Sequence, residues 1–209
     1  KYNIYFEFGD LQAAFFGSDI KDNEILINIG TGSQIICNSK NKSTFEQEER
    51  PFFNNDKLKC ITHIPAGRFL DSWSKFYNNL DVENNFWVEL SLLDKIDFDI
   101  EYIEIDFNSF LSTESSSFNI IQNRIIKDNK LGYKDLLVSL IKSFANQYLY
   151  YLDGLVHKDS VIVMGGGIPK KIPVLSDIIK ADLDREVRII DDDEDLTIKG
   201  LRDFLIKEL

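Results

Sequence analysis

The stretch Ile25-Leu26-Ile27-Asn28-Ile29-Gly30-Thr31-Gly32-Ser33-Gln34-Ile35-Ile36-Cys37 decides how this chain is read. Residues 25–29 and 34–37 are rich in strand formers, and a short glycine-containing loop joins them, the pattern of a β-hairpin. A second stretch, Val161-Ile162-Val163-Met164, is apolar at every position and runs into Gly165-Gly166-Gly167. That is the pattern of a strand covered on both faces. Working outward, residues 2–8 alternate aromatic and polar side chains as a strand that stops at Gly9-Asp10, with a short apolar piece at 13–16 closed by Gly17. Residues 58–64 read as a further strand.

From Gly67 the period lengthens. Phe69, Leu70, Trp73, Phe76, Tyr77 and Leu80 recur at helical spacing. Residues 86–96 read as helical, 102–105 as a strand and the Ser/Asn-rich stretch 108–123 as a surface loop; region 81–130 is expected to be an inserted cap. Leu136, Leu137, Leu140, Ile141, Phe144, Tyr148, Leu152 and Leu155 mark one long helix. A helix over 174–183, a strand over 187–190 and a last helix carrying Ile198, Leu201, Leu205 and Leu209 complete the chain. Strands joined by tight turns come first, then strand and helix alternate. The fold class is therefore α/β, a mixed sheet flanked by helices. No repeat or linker divides the 209 residues, so residues 1–209 are read as one large domain.

Composition narrows the partners. Lys plus Arg number 24 against 35 Asp plus Glu, a formal net charge of -11. Nucleic acid and anionic membrane surfaces both need a basic footprint that is missing here. Hydrophobic residues at 44% and charged residues at 28% are globular proportions, which argues against a disordered chain. Cys37 and Cys60 are too few for a disulfide framework or a zinc site. With no signal peptide and no apolar run of membrane-spanning length, the expected compartment is the cytoplasm.

Three glycine turns could carry chemistry: Gly30-Thr31-Gly32-Ser33, Ala66-Gly67 and Gly165-Gly166-Gly167. Backbone N–H groups at such turns make anion sites. A glycine at a hairpin tip is ordinarily just turn chemistry, so it is the three together that favour a nucleotide. Asp10, beside Gly9 at the expected strand end, is a candidate general base or metal ligand, with a turn or cap role as the plain alternative. His63 and His157 lack partners at metal spacing and read as ordinary core or surface residues. The acids of 191–195 read as a solvated loop favouring the N-terminus of the last helix. Phe6, Phe8, Phe15 and Phe16 read as core.

The run Gly9-Asp10-Leu11-Gln12-Ala13-Ala14-Phe15-Phe16-Gly17 resembles the signature opening the C-terminal domain of FGGY-family carbohydrate kinases, which have the ribonuclease H-like, actin/hexokinase-like ATPase fold. Further matches follow in the family's order. They are Asn28-Ile29-Gly30-Thr31-Gly32-Ser33-Gln34, the Ala66-Gly67 turn with Trp73 downstream, the triple glycine with Pro and Leu after it, and an acidic loop at 191–195 before the last helix. Leu11 and the Gly-Thr-Gly turn are most similar to the sedoheptulokinase branch. Some positions depart from the pattern. Residues 110–115 keep Glu114 of a Gly-Glu-Arg segment but not its Arg, and only Gly200 remains of a Gly-Ala-Ala run. Lys170 and Asp71 stand where relatives carry other polar residues.

The resemblance implies a C-terminal kinase domain whose N-terminal domain, with the first phosphate loop and most of the sugar pocket, is absent from this chain. ATP and Mg2+ are the implied cofactors, and the partners are a small sugar or polyol and the missing domain, with a homo-oligomer left open. Asp10 is implied as catalytic base, near the metal and the sugar, with Leu11 beside the substrate. Gly30, Thr31 and Gly32 would hold phosphate oxygens. Gly67, Asp71, Gly165, Gly166, Gly167 and Lys170 would flank ribose and adenine. The competing reading is a nucleotide- or partner-binding module that keeps the fold without the reaction.

Overall fold

The computed structural model describes residues 9–38, 47–53, 56–79, 85–94, 104–105, 107, 132–191 and 194–208. The strands are β1 (Glu24–Ile29), β2 (Gly32–Asn38), β3 (Glu48–Pro51), β4 (Lys57–Pro65), β5 (Val161–Gly165) and β6 (Val187–Ile189). The helices are α1 (Asp10–Gly17), α2 (Gly67–Asn78), α3 (Phe86–Ser91), α4 (Tyr133–Asp153), α5 (Gly167–Lys171), α6 (Val174–Leu183) and α7 (Leu196–Glu208). The strands form one six-stranded sheet in the order β3-β4-β2-β1-β5-β6. β1–β2, β2–β4 and β3–β4 pair antiparallel, whereas β1–β5 and β5–β6 pair parallel. The mixed sheet is as expected. The strand expected over 2–8, most of the cap region and the loop at 108–123 lie outside the described residues.

The central strands are apolar throughout because both faces are covered. Ile25, Ile27 and Ile29 of β1, Ile35 of β2 and Ile162 and Met164 of β5 enter the larger core with α2, α3, α4 and α6. Their alternates, Leu26, Ile36 and Val163, enter a smaller core behind the sheet with Leu11 and Phe15 of α1. This is the two-residue alternation of a strand sandwiched between helical layers. Cys37 and Cys60 fall in opposite cores, so they cannot bond to each other. Burial pushes the Cys60 thiol up to about 12, which leaves it unreactive.

Two local readings are corrected. The apolar piece at 13–16 is part of a helix, because Leu11 and Phe15, four residues apart, face the sheet while Ala13 and Gly17 face α7. Its first residue is Asp10, so Asp10 opens a helix whose N-cap is Gly9. Two short elements, β3 and α5, are additional to the sequence reading.

Asp195 caps α7, its Oδ1 accepting from Thr197 N at 2.8 Å and Ile198 N at 3.3 Å. At the far edge, the Glu24 carboxylate accepts two hydrogen bonds from Arg188, at 2.9 and 3.2 Å, and one from Lys21 N at 2.9 Å. Burial opposes its charge, but these bonds and the neighbouring cations outweigh burial and hold the carboxyl below its ordinary value. The pair ties β6 to β1 across β5.

α1 and α7 cross at backbone contact. A Cβ on Gly200 would strike the Ala13 carbonyl and stand 2.9 Å from Gly17 N, and a Cβ on Gly17 would strike the Leu196 carbonyl. Phe16, Phe53 and Phe204 extend the crossing as an aromatic pile, with Phe53 and Phe204 stacked at 5.1 Å. Because backbone rather than a flexible side chain blocks the space, Gly200→Val should cost about 1–3 kcal/mol or more of stability. Urea denaturation would measure this, and an unchanged midpoint would contradict the close crossing.

Candidate functional site

The hairpin tip and the start of α2 are built as one unit. β1 ends at Ile29, and the chain turns through Gly30 and Thr31 into β2, with Gly30 N donating to Gly32 O at 2.9 Å. Gly67 N donates to Gly30 O at 3.0 Å and Arg68 N to Thr31 O at 2.9 Å. The first N–H groups of α2 are therefore occupied by carbonyls of the hairpin. This corrects the expectation of free donors at the Ala66-Gly67 turn. Gly67 is required for a different reason: a Cβ there would lie 2.5 Å from Gly30 O and 3.2 Å from Thr31 Cα.

The third turn reaches the same place from β5, the parallel neighbour of β1. Gly166 has φ of +90°, and a Cβ on it would strike the Ile29 carbonyl. This puts the β5–α5 turn against the end of β1, beside the hairpin tip. Gly167, next in the chain, has open space where a Cβ would stand.

The result is a cleft of about 230 Å³ lined by Gly30, Thr31, Gly67, Asp71, Trp87, Gly167, Ile168 and Lys171. Residues of all three glycine turns meet there, with Asp71 one turn along α2. Trp87 of α3 and Lys171 of α5 close one wall, the Lys171 Nζ standing 4.9 Å from the Trp87 ring centroid. Among the described residues, no backbone group takes up the Thr31 N–H, and Thr31 is exposed. The cleft thus offers a backbone N–H, a hydroxyl, a cation, a carboxylate and an aromatic edge, a donor set suited to a polar ligand with an anionic end.

The remaining predicted residues are placed elsewhere. Gly165 is buried, and a Cβ on it would meet Leu196 Cδ1 at 2.6 Å, so it is a packing glycine. Gly166 and Lys170 line a neighbouring cleft with Asn28, Ile190 and the start of α7, Gly167 borders both clefts, and Lys170 Nζ lies 3.7 Å from Asp191. Gly32 is exposed, with space around its Cα. Leu11, the residue expected beside substrate, packs with Phe15, Leu26 and Ile36 and lines neither cleft. Asp10 is exposed and lines none of the clefts described above. Trp73 is a core residue at 1% exposure.

Sequence reasoning missed Lys171 and Trp87. Lys171 was legible in principle, since it lies four residues after Gly167 and so on the same face of a helix beginning there. Trp87 belongs to a region read as an insertion, and only the fold brings it to the cleft.

No protein-family model matches the sequence, and a search of curated proteins finds no match. Solved structures do match. Xylulose kinase from Bifidobacterium adolescentis superposes with a TM-score of 0.61 at 15% identity over 96% of this chain and 40% of that one. Plasmodium falciparum glycerol kinase with ADP gives 0.60 at 17% identity over 92% of this chain and 40% of that one. The activator of the 2-hydroxyisocaproyl-CoA dehydratase from Clostridium difficile with bound ADPNP gives 0.56 at 15% identity, covering 96% of this chain and 69% of that one. The fold is therefore the ribonuclease H-like fold of actin/hexokinase-like ATPases, and this chain spans about 40% of the length of the sugar kinases it matches.

The two adjacent glycines separate packing from cleft. Gly166→Ala places a side chain at positive φ and into a carbonyl, and should cost about 1–3 kcal/mol. Gly167→Ala faces open space at the start of a helix and should stay within about 0.5 kcal/mol. Thermal melts of both variants check this; equal losses would contradict the assignment.

Proposed function

We propose that this chain is the nucleotide-binding half of an ATP-dependent sugar kinase that transfers the γ-phosphate of ATP to a hydroxyl of a small sugar or polyol. A ketose such as sedoheptulose or xylulose is the class favoured by the resemblance at Leu11 and the Gly30-Thr31-Gly32 turn. The observation that carries the reading is the convergence of three glycine turns, far apart in sequence, on one cleft. In this reading Thr31 holds phosphate oxygens through its hydroxyl and N–H. Asp71 accepts from ribose hydroxyls, and Gly167 lets the nucleoside approach the backbone. Lys171, rather than Lys170, supplies the nearby cation.

Asp10, in this reading, accepts the proton of the attacking hydroxyl. Among the described residues no group of three acidic, His or Cys side chains converges as a metal site. Asp10 is the protein acid that the resemblance implies near Mg2+, which when bound would neutralise charge on the transferring phosphoryl group. An N-terminal domain would supply the opposing wall and most of the sugar pocket. The described residues include no helix long and apolar enough to cross a membrane.

Without that wall much of the ligand stays in contact with water, so titration calorimetry should give a Kd on the order of 10⁻⁴ to 10⁻³ M for Mg-ATP. Gly167→Leu, which fills the cleft without straining the backbone, should remove that heat while melting normally. Binding unchanged by Gly167→Leu would place the nucleotide elsewhere. In the two-domain protein, Asp10→Asn should lower kcat by about 10²–10⁴ with little change in sugar KM or melting temperature. The competing reading, a nucleotide-binding module without phosphoryl transfer, draws support from a structural neighbour that is a dehydratase activator. It predicts ATP binding and no turnover of any sugar by the two-domain protein.

A further inference from the structure

We propose that Gln147 and Tyr148, on the long helix α4, are positioning residues that set the phosphate affinity of the hairpin tip; the inference rests on the nucleotide reading above. The tip and the start of α2 move together, because Gly67 N and Arg68 N are bonded to Gly30 O and Thr31 O. The strand ladder holds this unit poorly on its inner side. β2 and β4 pair at Gly32 with Pro65 and at Ser33 with Ile64, and then resume at Ile35 with Ile61. Two residues of β4, Thr62 and His63, thus stand opposite the single residue Gln34. His63 takes up the extra length at φ of +62°, in the left-handed region that a side chain disfavours. A bulge of this kind interrupts the ladder just where the cleft begins.

Side chains from α4 act at that interruption. Gln147 Nε2 donates to Pro65 O at 3.0 Å, across 82 residues of sequence, and so fixes the last residue of β4 two positions before Gly67. Tyr148 is fully buried, and its hydroxyl faces that of Ser33, the residue after Gly32, without closing a hydrogen bond of good geometry. Among the described residues, Gln147 Oε1 has no hydrogen-bond partner, and Ser33 Oγ and Tyr148 Oη have at most each other. Burying polar atoms in this way costs stability, and an apolar residue at 147 or 148 would avoid that cost. Their chemistry is accounted for if they place the Gly30–Gly32 turn and the Pro65–Gly67 junction for a ligand. An error of a few tenths of an ångström there would fall first on the phosphate contacts at Thr31; of the nucleoside contacts, Asp71 lies one turn further along α2 and Gly167 stands on α5, outside the displaced unit.

The test uses the 209-residue chain and two probes, Mg-ATP and adenosine, titrated with detection by amide chemical shifts. Gln147→Leu should weaken Mg-ATP about fivefold to tenfold, and Tyr148→Phe about twofold to fivefold, with adenosine within about twofold for both. A purely structural role would lower the melting temperature and leave the ratio of the two affinities unchanged, which would overturn the proposal. A parallel loss of both ligands would overturn it as well, since the nucleoside end should be spared. If Gln147→Leu fails to fold, Tyr148→Phe, which deletes one oxygen, decides by the same ratio. Absence of Mg-ATP binding by the unaltered chain would instead overturn the nucleotide reading, and this inference with it.

Discussion

The docking of α2 onto the β1–β2 hairpin, through Gly67 N to Gly30 O and Arg68 N to Thr31 O, is the contact on which the rest of the site depends. It brings two backbone segments together more closely than any side chain at 67 allows. It also satisfies N–H groups that a helix start otherwise leaves open. Once α2 is held there, Asp71 faces the space beyond Thr31. The parallel pairing of β1 with β5 then places Gly166 against Ile29 and leaves Gly167 facing the same space. The cleft follows from sheet topology together with two glycines that permit backbone contact.

The other face of the sheet is organised by a similar rule. α1 and α7 meet through Ala13, Gly17 and Gly200 at backbone distance, and the smaller core beneath them holds α1 to the sheet through Leu11 and Phe15. The two faces divide the labour. Helices on the larger core build the cleft, and the pair on the smaller core fixes where Asp10 begins its helix. The close crossing needs a residue without a Cβ on each helix, Gly17 on α1 and Gly200 on α7.

Most of the sheet was legible because its apolar strands and their glycine ends are local signals. The runs 25–29 and 161–164 pair in parallel, and the long helix and the helix over 174–183 stand where their periodicity puts them. α1 was missed because eight residues rich in Ala and Phe carry little period of their own, and its pattern shows only against α7. β3, with Glu48, Glu49, Arg50 and Pro51, has the charge and proline of an edge strand and so lacks an apolar signature. At the site, Gly30, Thr31, Gly67, Asp71 and Gly167 were legible as turn and helix residues. Lys171 was passed over for Lys170 because the short helix at 167–171 was not read; with that helix in place, its spacing of four from Gly167 marks the side facing the cleft. The donors expected at Gly67 were claimed by the hairpin, a tertiary contact that no local pattern reports. Trp87 reaches the cleft only through the packing of α3.

The most direct test of the central claim, that three glycine turns form one nucleotide cleft, is a map of backbone amide shifts as Mg-ATP is added to the chain. The account predicts concerted, saturable changes at Thr31, Asp71, Gly167 and Lys171 with a single dissociation constant, together with a shift of the Trp87 indole N–H. Changes confined to one turn, or centred on Asn28, Lys170 and the start of α7, would contradict it.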